Sequence, residues 1–317
     1  MPEYLVTGGC GFIGSHVCDI LLDSGHRVRV LDNLSTGLLR NLPRRATLIE
    51  GDIRDRATVE QAIAGCDGCF HLAAVASVER SNREWVESHR TNLTGTVQVF
   101  AAASHASPDG KPIPVVYASS AAIYGDQGDA AVTEAARPAP TSAYGADKLA
   151  CEHHARVATL IHKVPTVGLR FFNVYGPRQD PRSPYSGAIS IFCDRIAADE
   201  PVRIYGDGEQ TRDFIYVGDV ARALVLALNR MPDRPTVLNV CTGQRTSIND
   251  LAAMLAGSLG RQPQFEMLQP RDGEIRHSRG DPSAARATLG FEAMVPLSRG
   301  LTLTTQSLAA AHEYAAG

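Results

Sequence analysis

Apolar positions along the first half of the chain follow two alternating rhythms. Short, nearly continuous apolar runs, "YLVTGG", "RVRVLDN", "TLIEGD", "GCFHLAA" and "IPVVYASS", read as buried strands. Between them lie longer stretches with apolar residues at helical spacing: "GFIGSHVCDILLDSG", "RATVEQAIAGC", residues 84–105 and residues 144–162. "PTVGLRFFNVYG" holds one more strand. Strands alternating with helices predict a mostly parallel sheet covered on both faces, a doubly wound α/β fold of Rossmann type.

Past Gly176 the pattern changes. "GPRQDPRSPYSG" is rich in Pro, Arg and Ser and reads as a loop, followed by a helix at 187–199. "PVRIYGDGEQTRDFIYV" reads as two short strands around a Gly-Asp-Gly turn, "GDVARALVLALNR" as a helix, "TVLNVCTG" as a further sheet strand and 246–260 as a helix. These shifts predict a Rossmann domain at 1–175 plus 215–245. A smaller C-terminal lobe takes 176–214 plus 246–317.

The 317 residues are 44% hydrophobic and 21% charged, with a net charge of −3, which is ordinary globular composition and gives no basic surface for nucleic acid. No apolar run approaches the roughly 18 residues of a membrane span. "MPEYLVTGG" shows no basic region ahead of an apolar core, and seven scattered cysteines suit a reducing compartment, so a cytoplasmic protein is expected. Cys66 and Cys69 form a C-x-x-C without a second ligand pair, and Cys69 falls inside an apolar strand. Both read as small buried hydrophobes, and no metal site is expected.

Gly8, Gly11 and Gly14 in "TGGCGFIG" lie between the first strand and the first helix. Glycine there permits a tight turn, lets backbone approach a pyrophosphate and allows close helix–sheet packing. Asp32 ends the second strand, where a carboxylate bonds a ribose 2′-hydroxyl and repels a 2′-phosphate. Asn33 follows rather than an arginine, so NAD is favoured over NADP. Asp52, with the Ile53 backbone, is placed to receive the adenine amino group. In "TSAYGADKLACE", Tyr144 and Lys148 sit one helical turn apart on one face. The pair is either a solvated helix face or a base.

"TGGCGFIG", "LDNLSTG", "GDIRD", "HLAA", "SSAAIYG", "YGADK", "LRFFNVYGPRQDP" and "GEQTRDFIYV" stand in the order and spacing of one family. The chain resembles the extended short-chain dehydrogenase/reductases, in their nucleotide-sugar epimerase branch, over nearly its whole length. The likeness is nearest to UDP-glucose and UDP-N-acetylglucosamine 4-epimerases. It implies NAD as cofactor, held by Gly8, Gly11, Phe12, Ile13, Gly14, Asp32, Asn33, Asp52, Ile53, Leu72, Ala73, Ala74, Ser119, Tyr144 and Lys148. It also implies a homodimer built through a four-helix bundle from the helices at 84–103 and 145–161.

The resemblance makes the Tyr–Lys pair a base. A free phenol with a pKa of about 10 is a poor base at neutral pH. A cation at about 4 Å and an effective dielectric of about 20 stabilises phenolate by roughly 4 kcal/mol before desolvation opposes it. Tyr144 then takes a proton from a sugar hydroxyl, with Ser120 passing it on, while Lys148 anchors the nicotinamide ribose. Ser119 is a support residue or a cofactor contact. Dehydratases and decarboxylases of the family carry acids after the reactive Ser/Thr; here Ala121 and Ala122 stand there, which leaves oxidation at carbon 4 and re-reduction.

For the substrate, the resemblance puts Asn173 near the diphosphate, Arg212 and Arg271 on the phosphates, and residues 186–190 with Tyr205 around the uridine. Ser278 stands where a bulky residue excludes N-acetyl groups. "SVERSN" is expected as a loop over nicotinamide and hexose, with Ser77 and Glu79 as candidate hexose contacts. Asn92 is read as structural, bonding backbone near the site. Tyr124 and Tyr175 are either cleft or packing residues. The implied activity is UDP-hexose 4-epimerisation. A UDP-glucuronate 4-epimerase, a 4-ketoreductase and an idle NAD-binding scaffold remain open.

Overall fold

The computed structural model describes residues 1–180, 187–270 and 275–316, with side chains through 309. In chain order, β1 (Glu3–Thr7), α1 (Phe12–Asp23), β2 (Arg27–Asp32), β3 (Thr47–Glu50), α2 (Arg56–Ile63) and β4 (Gly68–His71) come first. Next are α3 (Val78–Arg83), α4 (Trp85–His89), α5 (Thr96–Ala103), β5 (Val115–Ser120), α6 (Ala143–Leu160), β6 (Thr166–Phe171) and β7 (Asn173–Tyr175). Then follow α7 (Ala188–Ala197), β8 (Val202–Tyr205), β9 (Thr211–Arg212), β10 (Phe214–Tyr216), α8 (Val217–Asn229) and β11 (Thr236–Val240). The chain ends with β12 (Thr246–Ser247), α9 (Ile248–Leu259), β13 (Phe265–Leu268), β14 (His277–Ser278), α10 (Ser283–Leu289) and α11 (Leu297–Ala316).

Seven parallel strands form the main sheet in the order β11-β6-β5-β4-β1-β2-β3. The order reverses between β1 and β4, and a doubly wound sheet opens its binding crevice at such a reversal. Successive residues alternate between its two faces. Val6 and Val116 enter a core beneath α1 and α8, while Leu5 and Val115 enter another beneath α2, α5 and α6. Each buried aliphatic side chain contributes roughly 1.5–3 kcal/mol. The register sets Thr7 level with Leu31 and His71, and His71 level with Tyr117, so the strand ends that carry polar residues share one rim.

Beyond this sheet, β9 lies between β12 and β14, and β8 pairs with β13. Four details depart from the pattern-based reading. The helix at 84–105 contains a π-helical turn, Arg90–Gly95, between α4 and α5. "SVERSN" is not a loop: Ser77 caps α3 by accepting from the Arg80 N–H, and Arg80–Glu84 and Arg83–Glu79 pair along that side. The stretch around the Gly-Asp-Gly turn holds three strands rather than two, β8 before it and β9 and β10 after it. Finally, Ala285, Leu289 and Phe291, from the stretch 246–317, pack in the core under α8 and β11.

Candidate active site

The cofactor end is built from backbone. Gly8 has φ +71°, and a methyl on it would lie 2.8 Å from the Ala73 nitrogen. A methyl on Gly14 would lie 2.2 Å from the Gly8 carbonyl oxygen, so only glycine lets α1 start this close to the loop. Helix α1 begins at Phe12–Ile13 with no side-chain cap and no acid in its first turn. Orphan amides and the helix dipole there suit an anion. Asp32 is buried, and its two oxygens accept the Cys10 and Leu34 N–H groups at 3.0 and 2.9 Å, which ties the glycine loop to the end of β2. Asn33 donates to Asp52 at 2.9 Å. Burial pushes the Asp52 carboxyl up, but hydrogen bonds from Arg54 and Asn33 outweigh it and hold the pKa below the usual range. Ile53 is buried beside them. These residues fit a dinucleotide lying across the switch between β1 and β4.

Behind the loop, Thr7 Oγ1 accepts the Leu72 and Ala73 N–H groups, at 3.1 and 3.2 Å, next to Ala74. Thr7 also bonds His71 Nδ1 at 2.7 Å. His71 Nε2 meets Thr96 Oγ1 at 2.9 Å, and Thr96 donates to the Asn92 carbonyl at 2.6 Å. Thr96 has therefore used its proton, so His71 donates from Nε2 and accepts at Nδ1. Asn92 holds the Val75 backbone from both sides, accepting its N–H at 2.8 Å and donating to its carbonyl at 3.1 Å.

At the chemical end, α6 docks onto the short turn after β5. Ser142 caps the helix by accepting the Gly145 N–H, and Asn82 accepts the Ala143 N–H. A methyl on Gly145 would lie 2.6 Å from the Ala122 carbonyl oxygen, so glycine sets the approach. Tyr144 is thus in the first turn of α6. Lys148 is only 3% exposed, which excludes a solvated helix face. Its ammonium donates to the Ala118 carbonyl at 2.9 Å and stands 5.7 Å from the Tyr144 ring centroid. Ser120 ends β5, and its hydroxyl accepts the Ala122 N–H at 3.1 Å.

Ser119 faces elsewhere. Its hydroxyl donates to Glu152, one turn after Lys148 on α6. Arg170 clamps the same carboxylate through Nε and Nη2 at 2.9 and 2.8 Å and donates to the Tyr124 hydroxyl at 2.8 Å. Tyr124 in turn donates to Asn239. Burial pushes the Tyr124 phenol up to about 12, so it is a fixed packing group. Tyr175 is likewise buried, donating to the Leu297 carbonyl. Burial raises the Cys66 thiol to about 11 and raises Cys69 as well, which leaves both protonated within the fold.

Two cavities lie among the residues expected at the substrate end. Tyr205, Asp207, Gln210, Leu268, Pro270 and Arg276 line one of about 440 Å³. Asn173, Gln179, Gly187, Ile189, Arg212 and Phe214 line another of about 170 Å³. Ser278 is in register with Arg212 on adjacent strands. Ser77 is buried as the α3 cap, and Glu79 is exposed. Arg271 and residue 186 lie outside the described residues. Sequence reading missed Glu152, whose only signal is its i+4 spacing from Lys148. It also missed Arg276, which grips Asp207 through two hydrogen bonds of 2.7 and 2.8 Å and lowers that carboxyl to about 2.

Residues 4–241 match the NAD dependent epimerase/dehydratase family. A UDP-glucose 4-epimerase of Mycolicibacterium smegmatis is 34% identical, over 95% of this chain and 97% of its own. The solved UDP-glucose 4-epimerase of Thermotoga maritima, bound to UDP-glucose, is 36% identical with a TM-score of 0.90, covering 98% of this chain and 99% of its own. A UDP-N-acetylglucosamine 4-epimerase of Methanobrevibacter ruminantium, in complex with UDP-N-acetylmuramic acid, is 34% identical with a TM-score of 0.91, covering 98% and 100%. The chain belongs to the NAD dependent epimerase/dehydratase family, among its UDP-sugar 4-epimerases, and its cofactor is NAD.

Proposed function

We propose that the chain is a UDP-hexose 4-epimerase that interconverts UDP-glucose and UDP-galactose. The observation that carries this reading is the docking of α6 on the turn after β5. It sets Tyr144 beside a buried Lys148 at the strand end bearing Ser120, with alanine at 121 and 122 where an eliminating enzyme needs acids. Bound NAD supplies reversible hydride acceptance at carbon 4. Tyr144 holds and returns the proton of the 4-hydroxyl, with Ser120 as its hydrogen-bonding relay and the Lys148 ammonium beside its ring. Asn173 and Arg212, with Arg271, hold the diphosphate while the sugar ring turns; a guanidinium fork matches phosphate oxygens. The Rossmann residues 1–175 and 215–245 hold the cofactor, and the second lobe holds the nucleotide.

The test is direct. Protein purified without added cofactor is mixed with UDP-galactose, and nucleotide sugars are resolved by NMR while NADH absorbance is followed. Equilibration with UDP-glucose and no net NADH is expected. Net NADH change would instead mark a ketoreductase, and conversion of UDP-glucuronate alone a uronate epimerase. No turnover with any of them would leave an NAD-binding scaffold. A small residue at Ser278 supports acceptance of UDP-N-acetylglucosamine as well. Ser278→Tyr should then lower kcat/KM for the N-acetylated sugar about ten-fold or more against UDP-glucose, and an unchanged ratio rejects this.

Two further expectations belong to the same reading. Trp85 and Val86, at the start of α4, are 67% and 64% exposed, and Val157, Leu160 and Ile161, toward the far end of the α6 layer, are exposed as well. This apolar surface supports a homodimer through α4–α5 and α6. Light scattering should give twice the chain mass, and Ile161→Glu should shift it toward the monomer. Seven unpaired, buried cysteines support a cytoplasmic setting. No helix among the described residues is long and apolar enough to cross a membrane.

A further inference from the structure

Asn173, Arg212 and Ser278 come from three separate segments, and one residue outside the catalytic set, through its backbone and its side chain, ties them together. Asp213 is fully buried. It follows Arg212, and its backbone carbonyl accepts the Asn173 N–H at 2.9 Å. Its carboxylate accepts the Gly280 N–H at 3.3 Å, two residues beyond Ser278, which is itself in register with Arg212. The same carboxylate takes the Thr242 N–H at 2.9 Å, the Thr242 hydroxyl at 2.6 Å and the Gly243 N–H at 2.8 Å. Thr242 and Gly243 form the turn after β11, the edge of the Rossmann sheet. The Asp213 side chain therefore pins the substrate strands β9 and β14 to the rim of the cofactor domain.

The chemistry of the spot requires a carboxylate. Three N–H groups and one hydroxyl point at its two oxygens, one pair at Oδ1 and the other at Oδ2. An amide of the same shape would turn an N–H₂ toward one of these pairs of donors. Gly280 adds a second constraint: a methyl there would lie 2.6 Å from Cys241 Sγ and 2.7 Å from the Phe172 ring. The segment leading from Ser278 is thus packed without slack against the strands on either side of the clasp.

We propose that Asp213 is a positioning residue for the nucleotide sugar, fixing the mutual placement of Asn173, Arg212 and Ser278. The proposal rests on the UDP-sugar reading. Its mechanism is geometric, since a guanidinium or amide shifted from its place loses the distance and angle its hydrogen bonds to phosphate oxygens require. Loss of the clasp weakens the grip on the diphosphate without touching Tyr144, Lys148 or the glycine loop.

The experiment uses NAD-loaded enzyme and three variants: Asp213→Asn, Thr242→Val, which deletes one donor, and Thr242→Ser, which keeps it. UDP affinity is measured by calorimetry, and kcat, KM for UDP-galactose, NAD content and Tm are measured beside it. Thr242→Val should raise the Kd for UDP and the KM about five-fold, with NAD content and kcat within about two-fold, and Thr242→Ser should restore both. Asp213→Asn, if it folds, should raise them about ten-fold or more. UDP affinity unchanged in Thr242→Val overturns the proposal, whatever Asp213→Asn does. So does a fall of kcat, NAD content and affinity in step with Tm, which is the mark of general loosening. A wild-type enzyme that retains NAD but binds no UDP would instead overturn the UDP-sugar reading itself, and the positioning role with it.

Discussion

Tyr124 and Tyr144 both stand beside a cation, and the surroundings give them opposite tasks. The Tyr124 hydroxyl is buried, donates to Asn239 and accepts from Arg170, so its proton is committed. Tyr144 is in the first turn of α6 with the Lys148 ammonium 5.7 Å from its ring centroid, and the proposed reading has it exchange a proton with a sugar hydroxyl. Tyr144→Phe should lower kcat by about 10²–10⁴-fold while UDP affinity stays within about two-fold, since a general base acts on the transition state. Tyr124→Phe should cost about 1–3 kcal/mol of stability, because a buried acceptor is left without its donor, with kcat nearly preserved. Denaturant unfolding and steady-state kinetics separate the two. Spacing brought Tyr144 and Lys148 to notice, because their relation is local to one helix, and the family resemblance chose the base over a solvated face. It left Tyr124 undecided, because the partner that settles its role, Asn239, is 115 positions away.

At the scale of elements, the Tyr144–Lys148 pair is only as well placed as α6 is against β5. Gly145 sets that distance, and Lys148 and Glu152 anchor the next two turns to Ala118 and Ser119. Gly145→Ala should therefore lift the first turn of α6, lowering kcat about 10–100-fold at a stability cost of about 1–3 kcal/mol, with NAD still bound. Unaltered kcat in a folded Gly145→Ala enzyme would show that the approach is not set there. Strands and long helices were legible because burial on both faces of a parallel sheet leaves unmistakable apolar runs. The π turn was not, since Arg90–Gly95 reads as ordinary helix and a π turn differs from it only in its i→i+5 backbone bonding. Helix α3 escaped because its stability comes from a serine cap and ion pairs, not from an apolar stripe. The split into β9 and β10 escaped because their partners, β12 and β14 for one and β7 for the other, lie tens of positions away. The same distance hid the Asp213 clasp.

At the scale of the whole molecule, the hydrogen-bonded row Thr7–His71–Thr96–Asn92–Val75 threads the centre of the sheet to the helix wall of the site. It holds only while His71 is neutral. Protonation would put an N–H on Nδ1 against Thr7 Oγ1, which already accepts two backbone amides. Burial lowers the His71 pKa to about 3, and the Lys148 charge adds to the shift. In the unfolded chain the group returns to about 6.5. Above that value neither state binds the proton, and His71 adds no slope. Between about 6.5 and 3 only the unfolded state binds it, so stability falls with falling pH by about 1.4 kcal/mol per unit from this residue alone. Below about 3 the folded state takes the proton too and the slope ends. Carboxylates add slopes of their own in the lower part of that window, so the contribution is read as a difference. Urea unfolding of wild type and His71→Asn at pH 7, 6 and 5 should show a lower stability for the variant at every pH, but a shallower decline. The gap in slope should approach one proton between pH 6 and 5. Parallel declines would mean that His71 already carries its proton inside the fold, and that the row is held by a different pattern of donors.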